Sequence, residues 1–298
     1  MKTKLALVAF VLVAIGQVNG QDYAFRVLVN KGKTEVKTGE SWQQIKIGSS
    51  LRNKDEIRIA ENSYLGLVHV SGKAKEVKKS GMYKVMDLSA EVKDGASVIN
   101  KYTDFILSAN TGPKNTLNAT GAVERGGSSI KVYLPKPELA VVYGDKATIS
   151  WEDDKALKPY ILVFKSMFGD ELNRIETSES FAVVELSDKN FLNEDNIIVT
   201  VESKTNKNKI SDEYTLKKLS IADKERIKVS LDEISKQTLE VNAMNKLLIA
   251  GFYEQNNLLI DAIPYYLEAI KLAPDVPEYK EWYNDFLQRY GIKPLPKK

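Results

Sequence analysis

The spacing of apolar and polar residues divides the chain into three parts. In the first part, residues 25–29, 45–47, 56–59 and 64–70 are β-rich or alternate apolar with polar residues, and turn residues separate them. Period-two alternation with frequent turns predicts a small antiparallel β unit that has one face in water.

Residues 87–109 change to a helical spacing of apolar side chains. Gly95-Ala96 would weaken this helix or divide it. We therefore predict a first domain at 21–110, made of the β unit and a trailing amphipathic helix. Glycine, serine and proline then indicate a linker at 111–128.

The middle part, residues 129–219, contains seven or eight short strands separated by turn residues. Strands at spacings of roughly 8 to 15 residues predict an antiparallel sandwich. Trp151 ends one strand, where it can fill a sandwich core, and we expect Tyr160 in the same core. This pattern resembles the early strands of immunoglobulin-like or fibronectin-III-like domains. The predicted strands are 130–134, 139–142, 147–151, 160–164, 171–177, 181–185, 196–201 and 213–216.

The last part, residues 220–298, has helical periodicity throughout. Apolar spacing and the positions of proline and glycine predict helices at 221–239, 242–255, 260–272 and 276–290. The expected fold class is therefore a multi-domain β and α protein. It combines a small antiparallel β domain, a β-sandwich and a C-terminal α-helical repeat.

The N-terminus has the features of a cleavable signal peptide at 1–20. A basic start precedes an apolar run of 11 residues, 5–15, and Val18 and Gly20 fit the −3 and −1 positions of a cleavage site. The rival interpretation, a membrane anchor, needs roughly 20 apolar residues. We expect export to the periplasm without a membrane span, with secretion or outer-membrane association as alternatives. The new N-terminus, Gln21, resembles that of exported Bacteroidota proteins.

Composition narrows the possible partners and chemistry. The net charge is only +3 and lysines are interleaved with acids, so we expect no nucleic-acid partner. The absence of cysteine excludes disulfides, thiol nucleophiles, thiolate zinc sites and a lipidated N-terminal cysteine.

The candidates for catalysis are few. His69 is the single histidine, so a site with several histidine ligands is excluded. The acids at 152–154 and 194–195 lack the spacing and glycine of a known calcium loop, and we interpret both clusters as turns. We predict no catalytic, cofactor-binding or metal-ligating residues. An enzyme built on two carboxylates distant in sequence would leave no local signal, and is the third alternative below.

The first β unit resembles the FecR-type β domain over about 60 residues. That family has a Gly-x-x-Leu turn, a Gly-Asp-x-Ile strand start, a Ser-x-x-x-Leu strand and a Gly-Ser turn. Here the Gly-Asp step reads Lys54-Asp55 and the last turn reads Gly72-Lys73. The resemblance implies a periplasmic module that relays signals or binds envelope components, and it carries over no active site. The matching residues are Trp42, Ile47, Gly48, Leu51, Asp55, Glu56, Ile57, Ser63, 65–68, Gly72, Val77 and 81–85.

The second and third C-terminal helices resemble one tetratricopeptide repeat over about 34 residues. The matching residues are Ile249, Ala250, Tyr253, Ala262, Tyr266, Ala269 and Pro274. Lys246 stands at the usual tryptophan and Asn257 at the usual turn glycine, while Tyr283 fits the start of a second repeat that is not completed. Because such repeats bind peptides or proteins, the resemblance implies partner binding through Lys246, Tyr253, Asn257 and Tyr283, or a docking or dimerisation role.

The sequence therefore predicts a non-enzymatic scaffold or adaptor of the bacterial cell envelope that acts through protein–protein contacts, with no cofactor. The alternative is a carbohydrate- or peptidoglycan-binding protein that uses an aromatic platform on the first or middle module. A carboxylate enzyme is the least favoured.

Overall fold

A computed structural model describes residues 23–92, 99–112 and 129–292. The predicted signal peptide, the Gly95-Ala96 step and residues 113–128 of the predicted linker lie outside the described residues. The structure confirms the predicted fold class, with mainly antiparallel sheets followed by C-terminal helices in a multi-domain β and α arrangement.

The first β unit consists of two four-stranded antiparallel sheets, in the orders β4-β1-β6-β7 and β3-β2-β5-β8. Their inward side chains, among them Phe25, Ile57 and Leu67, form one core. The expected strand at 45–47 is wrong, because the strand ends before buried Ile45. The strands are β1 (Phe25–Lys31), β2 (Thr34–Thr38), β3 (Ser41–Gln44), β4 (Ser50–Leu51), β5 (Glu56–Ile59), β6 (Tyr64–His69), β7 (Ala74–Val77) and β8 (Gly81–Lys84).

Two helices follow this β unit, α1 (Val85–Ala90) and α2 (Asn100–Thr111). Helix α2 buries Tyr102 and Ile106 against the C-terminal helices. The Tyr102 ring lies 5.4 Å from the ring of Phe252 in an edge-to-face contact. The trailing helix therefore packs on the helical part of the chain.

The middle part forms a five-stranded sheet, β12-β11-β14-β15-β9, and a two-stranded sheet, β10-β13. Trp151 and Tyr160 pack edge-to-face in their shared core, as expected. The predicted strand at 130–134 is reduced to an isolated bridge between Val132 and Trp151. The strands are β9 (Val141–Val142), β10 (Lys146–Ser150), β11 (Tyr160–Lys165), β12 (Glu171–Thr177), β13 (Phe181–Glu185), β14 (Asn196–Ser203) and β15 (Tyr214–Lys218).

Four helices complete the described chain: α3 (Ile221–Gln237), α4 (Ala243–Gln255), α5 (Leu259–Leu272) and α6 (Pro277–Arg289). Side chains cap two of them. Ser220 Oγ accepts a hydrogen bond from Asp223 N–H, and Asn242 Oδ1 accepts one from Asn245 N–H. Helix α4 is buried along nearly its whole length, because α5, α2 and the first β unit surround it.

The helical part shares core contacts with both β units. Val29, Tyr64 and Val68 of the first β unit belong to the same apolar cluster as the helices. In turn, Ile260 of α5 lies in the core of the sandwich. The helices therefore lie between the two β units and contact each of them directly.

Candidate interaction surfaces

Two of the four predicted partner-binding residues meet at one aromatic ring. Lys246 Nζ lies 2.6 Å from Glu268 Oε2 and 5.5 Å from the centroid of the Tyr265 ring. The Tyr253 ring stacks on the same Tyr265 ring at 5.2 Å. Only 4% of Tyr253 is exposed, so its side chain contributes mainly to packing between helices.

The other two predicted residues lie elsewhere. Asn257 is exposed in the turn between α4 and α5, where its φ of +57° explains why asparagine can replace the usual glycine. Tyr283 is half-buried on α6 and packs against Tyr266 and Phe286. Partner binding through these four residues stays a prediction.

One side of the repeat-like helix pair is covered by the chain itself. Helix α2 lies so close to α4 that a Cβ atom at Gly251 would come within 2.5 Å of Ile106 Cδ1. Glycine allows this close approach of the two helices. The α4 surface against α2 is therefore an internal contact, and partners must use other surfaces.

The junction with the first β unit contains buried polar contacts. The hydroxyls of Tyr64 and Tyr279 are hydrogen-bonded at 2.7 Å, and burial raises the pKa of both. Glu76 Oε1 accepts a hydrogen bond from Met244 N–H at the start of α4. These directional bonds fix the position of the helices on sheet β4-β1-β6-β7.

The junction with the sandwich centres on Asp261, in the first turn of α5. Its two carboxylate oxygens accept hydrogen bonds from Tyr143 N–H and Gly144 N–H, each at 2.8 Å. Burial raises the pKa of Asp261 to about 6, although these bonds act in the opposite direction. These two hydrogen bonds therefore join α5 to the turn before β10, although burial of the charged carboxylate itself costs free energy.

A second buried carboxylate joins the helices to one another. Glu254, which is 1% exposed, accepts a hydrogen bond from Tyr266 Oη at 2.5 Å and pairs with Arg289 at 2.6 Å. Arg289 also donates to the carbonyl of Ala109 at the end of α2. Sequence reasoning missed Glu254 and Asp261, although an acid within an otherwise apolar helical run was a usable signal for both.

One end of the sandwich presents apolar side chains to solvent. Met167 and Phe168, 55% and 93% exposed, form the turn between β11 and β12. Ser166 Oγ holds this turn by accepting hydrogen bonds from Phe168 N–H and Asp170 N–H. Leu192, 64% exposed, directly follows Phe191. The ring of Phe191 packs against Phe164 near the same end of β11. We call Met167, Phe168 and Leu192 the apolar tip.

The outer face of sheet β3-β2-β5-β8 carries the half-buried Trp42. The Arg58 guanidinium lies 4.6 Å from its ring centroid and pairs with Glu35 at 2.6 Å. A hollow lined by Arg58, Glu35 and Met82 lies on the same sheet. This face combines an aromatic ring with charged hydrogen-bonding groups.

The residues considered for catalysis have structural surroundings. Both ring nitrogens of His69 are hydrogen-bonded to hydroxyls, those of Ser71 and Ser89, and burial lowers the pKa of this histidine. Asp154 caps a short 3-10 helix by accepting from Ala156 N–H. Across residues 23–92, 99–112 and 129–292, no group of three or more histidines and acids is placed to hold a metal ion. In the same ranges no helix has the length and apolarity of a membrane span.

Comparisons with known proteins assign no family to the chain. No family model matches the chain, and no curated protein is detectably similar in sequence. Two solved structures show local similarity: the Arg-specific cysteine proteinase gingipain R (RGPB), and a complex of Porphyromonas gingivalis RgpB pro- and mature domains. Each matches at a TM-score of 0.23 and 16% identity, over 30% of this chain and 18% or 19% of the other chain. A similarity at this TM-score supports no inference about fold or function.

Proposed function

We propose that the protein is an exported, non-enzymatic scaffold or adaptor of the bacterial cell envelope that acts through protein–protein contacts. The observation that carries this proposal is the position of the helical part, which shares buried contacts with both β units. Such contacts hold two binding modules at a fixed distance and orientation. A scaffold needs this property, because partners bound to separate modules are then presented to each other in one geometry.

The nature of the junctions supports a fixed arrangement. The Tyr64–Tyr279 hydroxyl pair and the two bonds to Asp261 are directional and buried. Breaking either junction would leave buried polar groups without partners, at a cost of about 1–3 kcal/mol for each group. Flexible tethering of independent modules would not require such groups.

The apolar tip is the surface that we assign to a protein partner. Exposed apolar side chains scattered singly are ordinary on a protein surface, but Met167 and Phe168 are adjacent and lie on a turn held by Ser166. A rigid aromatic side chain loses little conformational entropy on binding and often contributes a large share of binding energy. The leader-like N-terminus and the FecR-type resemblance support an envelope location.

Chemical cross-linking in the native envelope, followed by purification and mass spectrometry, tests the proposal. The wild-type chain should recover a reproducible set of partners. Phe168→Ser should lower that recovery without changing thermal stability, because the side chain is almost entirely in solvent. Met86→Ser, at an exposed position on α1, is the matched control and should leave recovery unchanged. A wild-type chain recovered only as a solitary monomer would contradict the proposal.

Glycan binding is the second candidate, and the Trp42 face is the observation in its favour. An aromatic ring such as that of Trp42 can stack on a sugar ring. The neighbouring Arg58 and Glu35 side chains can then form hydrogen bonds with the sugar hydroxyls. Soluble peptidoglycan fragments should then change the fluorescence of Trp42, and Trp42→Phe should report the ring's contribution to affinity. The buried Trp151 serves as an internal reference that sugars should not reach.

A further inference from the structure

Strand β13 is an outer strand of its sheet and, among the described residues, pairs with β10 alone. A hydrogen bond from Leu186 N–H to the carbonyl of Asp145, 2.6 Å long, fixes the antiparallel ladder at one end. In such a ladder every second residue exchanges both backbone bonds with its partner. The register therefore directs the N–H and C=O groups of Ala182 and Val184 toward β10.

The intervening residues, Phe181 and Val183, consequently direct their N–H and C=O groups away from β10. None of these four groups has a hydrogen-bond partner among the described residues. They form a short open edge that can bond another strand. Their side chains, 48% and 49% exposed, stand on the outer face of the sheet next to this edge.

The free edge formed by strand β12, which lies next to β13 in the other sheet, is different. Strand β12 is the outer strand of the five-stranded sheet, and charged side chains cover it. Arg174 pairs with Glu171, and Glu176 pairs with Lys204, each at 2.8 Å. Charges on an outer strand discourage the addition of another strand. Strand β13 has no charged side chain from Phe181 to Val184.

Pairing of β13 with a second copy of itself is unfavourable in the two antiparallel registers centred on Val183 and on Ala182. A two-fold axis at Val183 would set Phe181 opposite Glu185, whose carboxylate already pairs with Lys146 at 2.6 Å. An axis at Ala182 would set Glu179 of each copy beside Glu185 of the other, and like charges opposite each other are destabilising. Glu179 lies at one end of this edge, and Glu185 at the other end remains half exposed beside Lys146, so the acids favour a partner strand with basic ends.

We propose that β13 accepts an extended segment of a partner polypeptide as an added antiparallel strand. The segment would carry apolar side chains opposite Phe181 and Val183, and basic side chains opposite Glu179 and Glu185. Backbone bonds would supply affinity and the alternate side chains specificity. This inference rests on the proposed scaffold function and names the kind of segment that the sandwich would hold.

Hydrogen exchange detected by NMR on the chain from residue 21 tests the inference with a defined probe. The probe is the peptide acetyl-Lys-Thr-Val-Thr-Val-Thr-Lys-amide. Its matched control carries N-methyl groups on both valines, which removes the two donors that face the carbonyls of Val183 and Phe181. The probe should slow amide exchange at Phe181 and Val183 at least about tenfold, while the methylated control leaves it unchanged. Equal slowing of amide exchange by both peptides would overturn the inference. So would the absence of slowing by either peptide at the highest concentration that stays in solution.

A variant adds an independent measurement. Val183→Pro removes an N–H that faces the open edge and leaves the ladder to β10 intact, so slow exchange at Ala182 and Val184 should persist while the peptide effect disappears. If this variant does not fold, the comparison of the probe with its methylated control on the wild-type chain tests the inference by itself. Concentration-dependent slowing without peptide would identify a second copy as the occupant and overturn the inference. Loss of the peptide effect with envelope partners still recovered would leave the scaffold function standing.

Discussion

The buried carboxyl of Asp261 makes the stability of the protein depend on pH in an unusual direction. Its pKa in the folded chain is about 6, against an ordinary value of 3.8. Because the folded-state pKa is the higher one, this group's stabilisation is fully present below pH 3.8 and is lost as the pH rises through 6. Each whole step in pKa corresponds to about 1.4 kcal/mol, so the effect amounts to about 3 kcal/mol.

The perturbation that isolates this group is Asp261→Asn, which keeps the shape of the side chain and cannot titrate. Other acids titrate in both chains, so the difference between the two free energies of unfolding reports Asp261 alone. Relative to the variant, the wild-type chain should gain up to about 3 kcal/mol as the pH falls from 7.5 to 4. Urea unfolding at half-unit pH steps measures this difference.

A direct titration complements the unfolding curves. The carboxyl carbon shift of Asp261, followed by NMR between pH 3 and 8, should show a midpoint near 6. Parallel stability curves for the two chains, together with a midpoint near 4, would refute the reasoning. That outcome would mean that the hydrogen bonds from Tyr143 and Gly144 fully offset the cost of burial.

Four further substitutions test the helical junctions by urea unfolding. Tyr64→Phe and Tyr279→Phe should each cost about 1–2 kcal/mol, and the double variant less than their sum; strictly additive costs would show that the hydroxyls are not coupled. Glu254→Ala should cost about 3–5 kcal/mol, because it leaves the buried Tyr266 hydroxyl and the half-buried Arg289 without their carboxylate partner. A cost below about 1 kcal/mol would mean that water replaces the carboxylate. Gly251→Ala should cost about 1–3 kcal/mol by overpacking against α2, and an unchanged midpoint would contradict the close helix contact.

Element types and bounds were largely readable from the sequence, because the signals that set them are local. Helices predicted at 242–255 and 260–272 are found at Ala243–Gln255 and Leu259–Leu272. The spacing of apolar residues and the capping Asn242 lie within the helices themselves or next to them. The core position of Trp151 also followed from its place at a strand end.

Local signals failed where backbone pairing decides the element. Residues 130–134 alternate like a strand but make one bridge, because a strand needs a neighbour along its whole length and proline follows at once. Likewise, Ile45 is buried by the fold after its strand has ended. Neither result could be derived from periodicity, which describes one segment at a time.

The sequence by itself determined two β units, a helical C-terminal part and the absence of cysteine chemistry, because composition and period are properties of the chain. Only the tertiary structure decided that α2 covers α4 and that β13 has an open edge. It also decided that Asp261 contacts the sandwich while Tyr279 contacts the first β unit. These features join residues more than 100 positions apart, or depend on which strand lies last in a sheet. Contacts of that range leave no periodic trace, since they arise only when separate segments pack together.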